Sequence, residues 1–116
     1  MARAPVSDRL AHMLDAIDAI LAHTQGRSFD DYLEQRILRD AVERNIERLS
    51  EASRHIPDGA KLRLPGIPWR DVAGIGNVLR HDYPTVDHLA IWNVVVNDLP
   101  QLRAAVVTLL AELGGA

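Results

Sequence analysis

FDDYLEQRILRDAVERNIERLSEASRHI, residues 29–56, decides the fold. Phe29, Leu33, Ile37, Ala41, Leu49, Ala52 and Ile56 fall on one stripe at helical spacing, and Leu38, Val42 and Ile46 widen it. That is the pattern of a long amphipathic helix. Ser28 is its expected N-cap, with Asp30, Asp31 and Glu34 at the positive end of the dipole. Thirteen of the chain's 29 charged residues lie between Arg27 and Arg54, nearly balanced in sign. They read as a solvated face with spaced pairs such as Arg36–Asp40. Asn45 breaks the stripe between Ala41 and Leu49. It is either a buried amide held by hydrogen bonds or a polar group facing a cleft or a partner subunit.

The same periodicity extends outward. Leu10, Met13, Leu14, Ile17, Ile20 and Leu21 predict a helix over about 8–24, with Ser7 as N-cap and Gly26 as its stop. Residues 57–68 hold three Pro and two Gly and predict a loop. Pro68 opens a third helix that runs to about His81, and Pro84 lies beyond its end. Asp87 caps a fourth helix; Pro100 is expected to separate it from a fifth over 101–113. No segment alternates with period two, so the expectation is an all-α, up-and-down bundle of four or five helices in a single domain, 1–116.

The 116 residues include no cysteine, which excludes disulfides, thiolate metal sites and cysteine nucleophiles. A net charge of −3 argues against a surface built to hold nucleic acid by bulk charge, while leaving room for a local basic cleft. No apolar run approaches the roughly 18 residues of a membrane span, and Asp8 precedes any apolar run, so the expected compartment is the cytoplasm. Twelve of the thirteen basic residues are Arg, the better bidentate phosphate ligand.

His12, His23, His55 and His88 follow no metal-ligand spacing. Gly74-Ile75-Gly76 lies inside a helical pattern with no strand before it, so it is a poor phosphate loop. Residues 74–87, GIGNVLRHDYPTVD, gather Asn77, Arg80, His81, Asp82 and Tyr83 at one helix end. His81 in the last turn faces the negative end of the dipole, which favours its protonated form. In an extended segment His81 and Tyr83 would share a face.

Two stretches carry a family resemblance: IPWRDVAGIGNVLRHDYPTVDHLAIWNVVVNDLPQL and, upstream, DYLEQRILRDAVERNIERLSEAS. With the Ile-Pro-Trp-Arg start, the Asn-x-x-x-His-x-Tyr core and the Asn-Asp-Leu-Pro end, the chain resembles the HepT-like branch of the HEPN superfamily. The resemblance implies a helical bundle that pairs as a homodimer or higher even oligomer. It further implies a metal-independent endoribonuclease toxin acting on RNA, such as tRNA or mRNA, without a cofactor. The implied partner is an MntA-type nucleotidyltransferase antitoxin, which silences the toxin by attaching AMP to the motif tyrosine. The resemblance makes His81 and Asn77 catalytic candidates and Tyr83 the AMPylation site; by their positions Arg80 joins the catalytic candidates, and Asp82 and Asn45 are supporting groups.

One position departs from the pattern. The family's arginine stands four to six intervening residues before the histidine, and here the likeliest equivalent is Gly76. Arg80 is the expected substitute, one turn further on roughly the same face. Arg70, about 16 Å from His81 along the axis, is the weaker one. The alternative reading is a catalytically degenerate dimeric partner of a nucleotidyltransferase. A helical adaptor with no nucleic-acid role is a third.

Overall fold

The first helix ends because Gly26 adopts a left-handed turn at φ +73°, a conformation that costs glycine little. The computed structural model describes residues 5–81 and 87–114, with side chains at 5–75 and 87–113. Its elements are α1 Val6–Thr24, α2 Phe29–Glu34, α3 Arg36–Arg54, α4 Asp58–Lys61, α5 Trp69–His81, α6 His88–Asn93, a π turn Val94–Asp98 and α7 Leu99–Gly114. Among the described residues there is no strand.

α3 is the centre of the bundle, with α1 and α5 packed along it and α7 packed on α1. The N-terminal part of α1 (Arg9, His12) meets the C-terminal part of α3 (Ala52, His55), so these two run antiparallel. The end of α1 likewise meets the start of α7. Leu10, Met13, Ile17, Ile20, Val42, Ile46, Val106 and Leu109 are all essentially inaccessible, and together they form the core. Burying each such side chain contributes roughly 1.5–3 kcal/mol.

Ser28 caps as the sequence predicts: its hydroxyl accepts from Asp31 N at 3.1 Å, and the Asp31 carboxylate accepts from Ser28 N at 2.9 Å. Asp87 caps α6 through Ala90 N at 3.1 Å, and the Arg36–Asp40 pair forms at 3.7 Å on the surface.

Four expectations need correction. Ser7 is not a cap: α1 starts two residues earlier than expected, at Val6 after Pro5, with no side-chain cap bond. The 29–56 helix is broken at Gln35, which is extended (φ −102°, ψ 97°). The break lets α2 swing onto α6, where Tyr32 and Phe29 stack on Trp92 at 5.3 and 6.4 Å. Arg39 then donates to the Tyr32 and Leu33 carbonyls that the break leaves open. In consequence Leu33 and Ile37 leave the stripe and are exposed, Ile37 at 86%. The 57–68 loop holds the short α4. Finally, Pro100 does not end a helix. His88–Leu113 is one continuous helical run of 26 residues, because the π turn just before Pro100 rearranges the bonding where its ring would clash. The Leu99 amide reaches back to the Val94 carbonyl instead.

With that run unbroken, one helix is long and apolar enough to cross a membrane by length and composition alone, against the sequence expectation. Here it lies in the bundle, with Leu99, Leu102, Val106 and Leu109 in the core and Arg103 bonded to Asp18 of α1 at 2.6 Å.

Candidate functional site

α5 carries the motif. Pro68 precedes it and lends its carbonyl to Val72 N at 3.0 Å, while the Trp69 indole donates to Leu64 O at 3.3 Å. These contacts set where the helix begins, and from there the period sets the angular position of every later residue. Asn77, Arg80 and His81 occupy the last two turns of α5. The side chains of residues 76–81, and all of Asp82 and Tyr83, lie outside the described residues.

The wall against α5 is described. Ser50 Oγ and Arg54 Nη2, both on α3, donate to the Ala73 carbonyl at 2.6 and 2.7 Å. Ser50 is buried, whereas the Arg54 side chain keeps 29% of its exposure. Arg54 Nη1 also reaches Glu51 at 3.2 Å, and His55 Nε2 meets the other oxygen of that carboxylate at 3.2 Å. The His55 hydrogen bond, with the Arg54 charge behind it, holds the Glu51 carboxyl below its ordinary range. The result is a charged cluster beside the helix that bears the motif.

Asn45 is elsewhere. Its amide donates to Ala41 O at 2.8 Å and accepts from Arg48 at 2.8 Å; Arg48 in turn reaches Asp15 of α1 at 3.1 Å. This is the buried, hydrogen-bonded amide of the first reading. Nine residues, or two and a half turns, separate it from Arg54, so the two point to opposite sides of α3.

A second polar cluster joins α2, α3 and α6. Tyr32 is fully enclosed and meets His88 edge to face at 6.0 Å. Tyr32 Oη and His88 Nδ1 are buried and make no hydrogen bond among the described residues. Burial pushes the Tyr32 phenol up, and burial likewise raises the Glu43 carboxyl, opposed by the charge of His88. A groove of about 450 Å³ opens between α3, the 63–68 segment, α5 and the long helix, with mostly apolar walls including Leu49, Ile67, Val72 and Leu102. Among the described residues no three His, Asp or Glu side chains gather as a metal cage would.

Sequence reasoning missed the contact of Arg54 with α5, because Arg54 reads as one more charge on a solvated helix face. The available signal was Ser50 four residues earlier: a hydroxyl in a helix interior seeks a carbonyl, and here it finds one on the neighbouring helix.

Residues 13–109 match the family described as "Ribonuclease HepT-like". A protein of Thermococcus cleftensis named "Probable ribonuclease HepT" is 36% identical over 96 residues, covering 83% of this chain and 87% of that one. A Methanocaldococcus jannaschii protein whose name makes it a candidate RNase is 27% identical over 106 residues, 91% of this chain and 97% of its own. A longer M. jannaschii protein, named for a gamma-glutamylcyclotransferase and a candidate RNase together, is 32% identical over 111 residues, 96% of this chain and 50% of its own. No solved structure matches.

Proposed function

The chain belongs to the ribonuclease HepT-like family, and on that premise we propose that it is a metal-independent endoribonuclease, the toxin half of a toxin–antitoxin pair. The observation that carries this reading is the family match itself, which spans all of α5 and the Asn77-x-x-x-His81-x-Tyr83 motif.

The chemistry follows from the side chains. His81 takes the proton from a ribose 2′-hydroxyl as that oxygen attacks the adjacent phosphorus. The bond from phosphorus to the 5′-oxygen breaks, and that oxygen takes a proton from His81 of a second copy across a homodimer. The products are a 2′,3′-cyclic phosphate and a 5′-hydroxyl. Arg80 offsets charge on the phosphorane, with Asn77 and Asp82 supporting. Silencing comes from an MntA-like nucleotidyltransferase: the Tyr83 oxygen attacks the α-phosphorus of ATP, pyrophosphate leaves, and the added AMP sets negative charge beside His81 and Arg80.

Two experiments test this. Purified protein incubated with RNA in EDTA should yield cyclic-phosphate ends, and His81→Ala should abolish them; intact RNA at high enzyme would dismiss the nuclease. Incubation with a neighbouring-gene nucleotidyltransferase, ATP and magnesium should add one adenylate to Tyr83 by mass spectrometry. A second reading, a degenerate binding partner, is favoured by one observation, Gly76 at the likeliest arginine position. It predicts that Gly76→Arg gains cleavage the unaltered chain lacks.

A further inference from the structure

α5 is supported on one side. Its described residues pack chiefly on α3, and another flank looks across the groove of about 450 Å³ to the long helix. Val72 and Ile75 line the groove from α5, three residues apart and so on one helical face. Val94 and Leu102 line it from the long helix. Val72, Ile75 and Val94 are only partly buried, so apolar surface stands open on both walls. The long-helix wall runs from Val94 to Ala105, roughly three helical turns or about 16 Å. That is an elongated slot. It is long enough for the i, i+4 and i+7 side chains of an opposing helix, which span about 10 Å.

Charge at the mouth selects among apolar occupants. Arg63 is there, but its guanidinium pairs with Glu112. Asp71 on α5 and Asp98 at the end of the π turn are exposed, and neither carboxylate makes an ion pair or hydrogen bond among the described residues. Two carboxylates thus face solvent, one from each wall. They disfavour an occupant with an anionic head and favour one that carries cations beside its apolar side chains.

We propose that this groove docks an amphipathic helix of a partner protein, with apolar side chains seated between α5 and the long helix and Lys or Arg beside them meeting Asp71 and Asp98. The proposal does not rest on the ribonuclease reading and uses no side chain of the motif. A helix seated here presses on α5, which bears that motif, from a side that α3 leaves open. Exposed charge pairs at a rim contribute little affinity each and mainly set rate and selectivity, so the apolar anchors carry the binding.

The test titrates the full chain with two short helical peptides, followed by fluorescence anisotropy. Both carry Leu at helical spacing; one has Lys at the flanking positions, and its twin has Glu there. The Lys peptide should saturate at one per chain, and the Glu twin should bind about tenfold more weakly or not at all. Ala105→Trp, which fills the groove from the long helix, should weaken the Lys peptide by about tenfold or more. Asp71→Asn and Asp98→Asn should each weaken it about two- to fivefold and flatten its salt dependence. Asp30→Asn on α2, outside the groove, should change nothing. The proposal is overturned if neither peptide binds, if both bind alike, or if Ala105→Trp binds the Lys peptide as well as the unaltered chain does. Equal losses at Asp30 and at the groove carboxylates would mean general attraction to an acidic chain, and would overturn it too. If the Lys peptide halves the sedimenting mass as it binds, the groove belongs to a second copy of the chain and the partner helix falls. Should Ala105→Trp fail to fold, Ala105→Leu makes a smaller addition to the same wall: weaker binding by the folded variant supports the docking site, and equality refutes it.

Discussion

Tyr32 fills the junction of α2 and α6 with its ring, while its hydroxyl makes no hydrogen bond among the described residues. An unsatisfied buried polar atom costs about 1–3 kcal/mol. Tyr32→Phe should therefore leave stability unchanged or raise it by about 1 kcal/mol in urea titrations. A loss larger than that would show the hydroxyl to be bonded through water. Nearby, Glu43 faces His88, Arg39, Asp40 and Glu47, and burial raises its carboxyl above the ordinary value. The sign is then fixed. The folded chain binds this proton more tightly than the unfolded chain does, so the group's contribution is complete below the unfolded value near 4.5 and is lost as pH rises through the folded one. Glu43→Gln should match the unaltered chain below about pH 4 and gain on it toward pH 7 in melting temperature. A variant that instead matches at low pH and falls behind the unaltered chain toward pH 7 would show the carboxylate to be net favourable through His88.

Among the elements, ends written by local chemistry were legible: Ser28, Gly26, Asp87 and the Pro68 start of α5 all stand where the sequence puts them. Gln35 was not, because Gln is a sound helix former and nothing local breaks the pattern there. The break is made by aromatic contacts some sixty residues away in sequence, with Trp92. Pro100 failed for the opposite reason: a strong local signal was absorbed by the π turn before it. That turn accommodates the proline ring, so Pro100→Ala should stabilise the long helix by about 1–3 kcal/mol, read as a higher melting temperature with unchanged helical circular dichroism. A destabilised variant would mean that the π turn itself, rather than the proline, is what the packing requires. The site was legible only as a motif. His81 and Tyr83 are candidates by type and spacing alone, while the contacts of Ser50 and Arg54 with the Ala73 carbonyl come from the α3–α5 packing, which no local pattern announces.

At the scale of the molecule, α3 works as a three-sided strut. One side meets α1 through Asn45 and Arg48, a second meets α5 through Ser50 and Arg54, and a third meets α2 and α6 around Glu43. The long helix, by contrast, packs on one side and leaves Leu89, Val96, Val107 and Leu113 exposed. Apolar surface left open in this way suits a second copy of the chain, which the two-imidazole chemistry also requires. Sedimentation at micromolar concentration should return twice the mass of 12.9 kDa. A monomer at all concentrations would remove the second His81 and with it the acid–base pair.

The five residues of the π turn have one further consequence. Such a turn holds one residue more than the α-helix it interrupts, so Ile91 before it, Val95 within it, and Leu99 and Leu102 after it all face the core across a surplus position. The reading frame of the helix is therefore redundant at this point. Deleting Asn97 together with Pro100→Ala should yield a shorter, uninterrupted α-helix whose two halves keep their old orientations, whereas the same single deletion within 102–109 would rotate everything downstream by about 100° and expose Val106 and Leu109.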